Sequence, residues 1–173
     1  MWIENCRELI HINDDFLEEL YLLRRLTIES CDKLIIVPYG LRQLRSLVQS
    51  TITQCQSLTQ FPKDCFGCYI TQLKVLSIRG FSKELEAFPA GVINSIQHLS
   101  RSFEIPRIYG WDKLSVPRQL QHLAALEKLF VENFRGKEFE EALPDWLANL
   151  SSLQYLQIVN CKNVKHLGSS TPN

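Results

Sequence analysis

Residues 153–167 read LQYLQIVNCKNVKHL and place apolar side chains at Leu153, Leu156, Ile158, Cys161, Val164 and Leu167. The successive steps are three, two, three, three and three, whereas an amphipathic helix asks for threes and fours and a half-buried strand for twos. The same mixed spacing recurs at Leu23, Leu26, Ile28, Cys31, Leu34 and Val37, which Pro38 follows. It recurs again at Leu47, Ser50, Ile52, Cys55, Leu58 and Phe61 before Pro62, with Ser50 the one polar intruder. Two further copies, from Leu73 to Phe88 and from Leu126 to Leu143, carry an insertion after their aromatic residues Phe81 and Phe134.

The leading positions Leu23, Leu47, Leu73, Ile96, Leu126 and Leu153 lie 24, 26, 23, 30 and 27 residues apart, a period that marks stacked repeats. Within each unit the stretch from the second leucine to the isoleucine alternates inward and outward, so it is predicted to be a strand. The threes that follow suit a tight turn and 3₁₀-like backbone, and proline then blocks ladder bonding. A second apolar pair, Leu41 and Leu44, Leu120 and Leu123, or Leu147 and Leu150, fits a short outer helix. The expected fold is α/β: a curved right-handed solenoid with a parallel sheet on the concave face and short helices, 3₁₀ turns and loops on the convex one. About seven units would occupy residues 1–167, with a disordered tail at 168–173. Ile3, Cys6, Leu9 and Ile12 match the later part of a unit, which predicts a first repeat that is truncated and a chain that is a fragment. The unit near 96–117 is irregular: Ile96 and Leu99 open it, and the register resumes at Ile108, Trp111 and Leu114 after about eight extra residues.

With 19 basic and 19 acidic residues the chain has no net field to draw it to nucleic acid or to an anionic membrane. Glu4, Arg7 and Glu8 interrupt any apolar signal segment, and no apolar run approaches the eighteen or so residues that a spanning helix needs. The expectation is therefore a cytoplasmic protein whose six cysteines are free thiols and which does not insert into a membrane.

The segments LTIESCDKLIIVP, ITQCQSLTQFP and ALPDWLANLSSLQYLQIVNCKNVKHL resemble the leucine-rich repeats of plant intracellular disease-resistance proteins, the immune receptors that join a nucleotide-binding domain to a repeat array. The resemblance covers nearly the whole chain, and its last segment combines Leu-Pro, Trp146, NLSSL and Cys161 in order. It departs from the family at Gly168, where proline is usual, and in the irregular stretch from Phe103 to Trp111. What it implies is a recognition and autoinhibitory module in plant defence, binding a pathogen effector, a host protein or the receptor's own nucleotide-binding domain. The second reading is the substrate-recognition array of a ubiquitin-ligase adaptor, which would need an F-box-like segment upstream. A third, a hydrolase or transferase, lacks chemistry to support it.

Sites for cofactors and catalysis fail on spacing. Gly136-Lys137 has Val131 where a P-loop needs its first glycine and Glu138 where it needs Ser or Thr, so no nucleotide or other cofactor is expected. Cys65 and Cys68 form a Cys-x-x-Cys without a second ligand pair, and His11, His98, His122 and His166 stand singly, so neither metal nor redox chemistry is expected. Cys6, Cys31, Cys55 and Cys161 share one repeat position and are expected to pack beneath the turn. The sequon at Asn149 belongs to the repeat motif, and Glu138, Glu140 and Glu141 read as a solvated loop. No catalytic residue is assigned.

The informative positions are those that point outward from the strands, because they have no core to fill. Those from Arg25 to Arg79 are polar apart from Val75. In the later half Arg107, Tyr109, Lys128, Phe130, Glu132, Tyr155, Gln157 and Val159 gather aromatic residues among charges, the composition of protein-binding surfaces. These eight are the candidate protein-binding residues on the concave face.

Overall fold

The computed structural model describes residues 1–63, 65–66, 69–82, 85, 89–98, 105–109, 118–123, 126–134, 145–161 and 164–166. Seven strands form one sheet: β1 (Trp2–Glu4), β2 (Arg25–Glu29), β3 (Gln49–Thr53), β4 (Val75–Arg79), β5 (Ile105–Tyr109), β6 (Lys128–Glu132) and β7 (Tyr155–Val159). Their order in the sheet is their order in the chain, and every pairing is parallel. Each parallel pair needs a crossover connection between its strands rather than a tight hairpin.

Register places like on like. Leu26 lies opposite Ser50, Ser50 opposite Leu76, Ile28 opposite Ile52 and Ile52 opposite Ile78, and the row resumes with Leu129 opposite Leu156 and Val131 opposite Ile158. Leu26, Ile28, Ile52, Leu76, Ile78, Leu129 and Val131 are all buried, each contributing about 1.5–3 kcal/mol by leaving water. Beyond β6 the protection lessens, and Leu156 is 38% exposed.

The runs of three become chains of i to i+3 hydrogen bonds. Leu41 N–H donates to the Pro38 carbonyl, Leu44 to Leu41 and Leu47 to Leu44, at 3.3, 3.2 and 2.9 Å. The same relay links Leu17, Leu20 and Leu23, then Leu120, Leu123 and Leu126, then Leu147, Leu150 and Leu153. Three residues per turn stack such leucines on one side, which is why the outer segments Tyr39–Gln43, Arg118–His122 and Asp145–Asn149 are 3₁₀ and not α. Two outer segments are α-helical: α1 (Asp14–Glu18), capped by the Asn13 side chain accepting from Asp15 N–H, and α2 (Ala90–His98). Ile96, which opens the irregular unit by spacing, lies within α2, and the fifth strand begins at Ile105 with Pro106 opposite Leu76.

Polar ties on the helical side fasten neighbouring units. Gly40 N–H donates to Asp14 Oδ1 at 2.7 Å, and the backbone approaches so closely that a Cβ on Gly40 would lie 2.4 Å from the Asp14 carbonyl oxygen. Buried Ser95 donates from Oγ to the Gly91 carbonyl at 2.7 Å and accepts from Phe66 N–H at 3.1 Å.

Ser50, the polar intruder, is fully buried in the leucine row, and its Oγ finds no hydrogen-bond partner among the described residues. An orphaned buried hydroxyl costs about 1–3 kcal/mol. Ser50→Ala is accordingly expected to stabilise the protein by about 1 kcal/mol, seen as a higher urea midpoint at unchanged slope. A lower midpoint would show that the hydroxyl is engaged.

Candidate functional site

Directly after β1, β2, β3, β4, β6 and β7 the chain turns through the left-handed region. Asn5, Ser30, Gln54, Asn133 and Asn160 have φ of 56°, 54°, 57°, 61° and 54°, and Gly80 has 65°. The asparagines and the glycine accept this conformation readily, while serine and glutamine are held there by the ladder. Asn5, Ser30 and Gln54 N–H donate at 3.0 Å to the carbonyls of Glu29, Thr53 and Arg79, the last residues of the following strands. This one-residue reversal fixes where each outward strand side chain stands.

The repeated cysteine completes the turn. Cys6, Cys31, Cys55 and Cys161 each direct Sγ at the carbonyl two residues earlier, at 3.5, 3.5, 3.4 and 3.6 Å. Burial pushes the Cys31 and Cys161 thiols up, and the Cys55 thiol up to about 11, so these three stay protonated at neutral pH. They are turn donors rather than nucleophiles, because the thiolate is the reactive form. Cys65 is buried, its partner in the Cys-x-x-Cys lies outside the described residues, and no group of three or more metal-ligating side chains comes together among the described residues.

Outward positions line up in rows across the sheet, with strands about 4.8 Å apart. Thr27, Thr51, Ser77, Arg107, Phe130 and Gln157 form one such row by successive pairing. On β5 to β7 four of the eight predicted residues, Arg107, Phe130, Tyr155 and Gln157, come into contact. The Arg107 guanidinium lies 4.9 Å from the centroid of the Phe130 ring, and the Phe130 and Tyr155 rings are 5.4 Å apart at 41°. Tyr155 hydroxyl donates to Gln157 Oε1 at 3.2 Å, which ends the chain of contacts. Lys128 is exposed opposite Tyr155, and Glu132 lies half-buried opposite Val159 on β7 and beside Tyr109 on β5. Tyr109 is placed by its backbone, and its side chain is outside the described residues.

Sequence reasoning missed the feature beside this stack. Between β2 and β5 the face sinks into an open hollow of about 360 Å³, because Thr51, Val75 and Ser77 on β3 and β4 are short. Glu29 lines one end of it, and Arg79 and Arg107 line the other. Small residues at successive outward positions were the available signal, but depth depends on the neighbours across strands and so needed the register.

No protein-family model matches this chain, and no curated protein does. Among solved structures 21 chains match, one of them the leucine-rich repeat domain of the type III effector XopL. That comparison gives a TM-score of 0.57 at 17% identity, over 97% of this chain and 70% of the other. The two share a fold: this chain has the leucine-rich repeat architecture, with parallel strands in one sheet and few helices.

Proposed function

We propose that the outward face of the sheet is a protein-recognition surface, and that the chain is the recognition and autoinhibitory repeat module of a plant immune receptor. The observation that supports the first part is the cluster of Arg107, Phe130 and Tyr155. Tyr155 is 47% exposed, and Phe130 is half-buried by neighbours on the same face. Large aromatic surface is retained where folding does not require it, with charged groups at its margin, as in interfaces dominated by a few anchors. The plant-receptor part rests on the resemblance of the repeats, and it carries the cytoplasmic setting and the effector or host-protein partner with it. The same reading takes residues 1–167 as one curved array with the sheet on its concave side. It assigns the chain no catalytic role. No observation favours the ubiquitin-ligase adaptor, which would use the same face.

A photo-crosslinking residue at position 130 tests this directly. It is expected to capture a protein partner that the same residue at Glu18, on α1 across the sheet, does not. Phe130→Ala is expected to weaken that partner's binding at least about tenfold while shifting the thermal midpoint by only a few degrees. Equal capture from both positions, or unchanged affinity, would remove the assignment.

A further inference from the structure

The chemistry of the partner can be narrowed from the charges around the hollow. Arg79, Arg107 and Lys128 stand on the three adjacent strands β4, β5 and β6, all exposed. Arg107 lies with its guanidinium carbon over the Phe130 ring, 4.9 Å from the centroid. It is in no salt bridge with a described residue. A guanidinium carries two parallel N–H groups on one edge that match the two oxygens of a carboxylate. Arg107 also lines the open hollow, which has room for the short stem of an aspartate or glutamate.

Acidic groups bound this positive strip on both sides. Glu29 lines the hollow's far end on β2, and Glu132 lies beyond Arg107 on β6. A tract of many carboxylates would meet repulsion at each margin. A single carboxylate flanked by apolar residues would not, and the tilted Phe130 and Tyr155 rings offer those residues a surface beside the strip.

We propose that this face reads a segment of a protein partner in which one Asp or Glu adjoins a large apolar side chain, the carboxylate on Arg107 at the hollow and the apolar group against Phe130 and Tyr155. The proposal rests on the reading of the face as a protein-recognition surface, and it adds the class of residue recognised.

The test is selection of a random twelve-residue peptide library, displayed on phage, against the intact chain. Selected peptides are expected to share one acidic residue next to Leu, Phe or Trp. Their affinity should fall at least about tenfold in Arg107→Ala and nearly as far in Arg107→Lys, which keeps the charge and loses the fork. It should also fall as salt is raised. Arg107 is exposed, so its variants are expected to keep the parent circular dichroism and thermal midpoint. If they do not, Arg107→Lys alone, compared with parent on the same peptides, decides the point. Selected peptides without a carboxylate that lose binding in Phe130→Ala would overturn the acidic specificity and leave the recognition face standing. Peptides indifferent to both Phe130→Ala and the Arg107 variants would overturn both.

Discussion

Replacing Ile52 with alanine is expected to cost about 2–5 kcal/mol, while Thr51→Ala, one residue earlier, costs about 1 kcal/mol or less. The two side chains leave the same strand in opposite directions. Ile52 is 1% exposed and lies between Ile28 of β2 and Ile78 of β4, so truncation leaves a void that neither neighbour can fill. Thr51 stands on the outward face between Thr27 and Ser77, where a shorter side chain opens no cavity. The damage at Ile52 should also spread unevenly. In a stacked array each unit gains stability only from its neighbours, so weakening β3 loosens its contacts with both β2 and β4. Urea titration followed by circular dichroism gives the loss, and hydrogen exchange should show reduced protection on both sides of β3. Equal costs at positions 51 and 52 would mean that the faces are assigned wrongly, and every argument about the outward surface would go with them.

Gly40→Ala is expected to destabilise by about 2–3 kcal/mol, against the ordinary sign of such a change. Where a glycine's backbone is compatible with a side chain, alanine usually stabilises by about 0.4–1 kcal/mol by restricting the unfolded chain. Gly40 is not at positive φ, so the backbone itself raises no objection. The obstacle is tertiary: the added methyl would sit 2.4 Å from the Asp14 carbonyl oxygen and 3.0 Å from its Cα, both main-chain atoms of α1. Relief requires moving α1 away from the 3₁₀ segment Tyr39–Gln43, which also stretches the 2.7 Å bond from Gly40 N–H to Asp14 Oδ1. Asp14→Ala removes that bond without a clash, and its expected cost of about 1–2 kcal/mol separates the lost hydrogen bond from the steric part. A Gly40→Ala protein as stable as the parent would show that the two segments are not held at this distance.

Neither result would touch the charged strip. The exposed ion pair between Lys33 and Glu8 is likewise expected to matter little, since both side chains are more than half exposed and water screens them.

Much of this architecture could be read from single residues in order. Leu26 and Ile28 announce a strand by their spacing of two, Leu41 and Leu44 announce a short outer helix, which the structure shows to be 3₁₀, and repetition of both at a fixed period requires that units stack. Such signals are local, because backbone geometry converts spacing along the chain directly into direction in space. The cysteine position was legible too, although its role as a donor to the carbonyl two residues back was not. That bond exists only because Asn5, Ser30 and their counterparts reverse the chain between the two groups.

The candidate surface divides in the same way. That Phe130 and Tyr155 face outward followed from alternation, and their shared neighbourhood followed from stacking. That Arg107 lies over Phe130 did not, because it depends on the register between β5 and β6. Nor could the sequence show that Arg79 and Arg107 overlook one hollow, or that Glu29 closes its far side. Those relations join residues dozens of positions apart, and only the register between strands sets such distances.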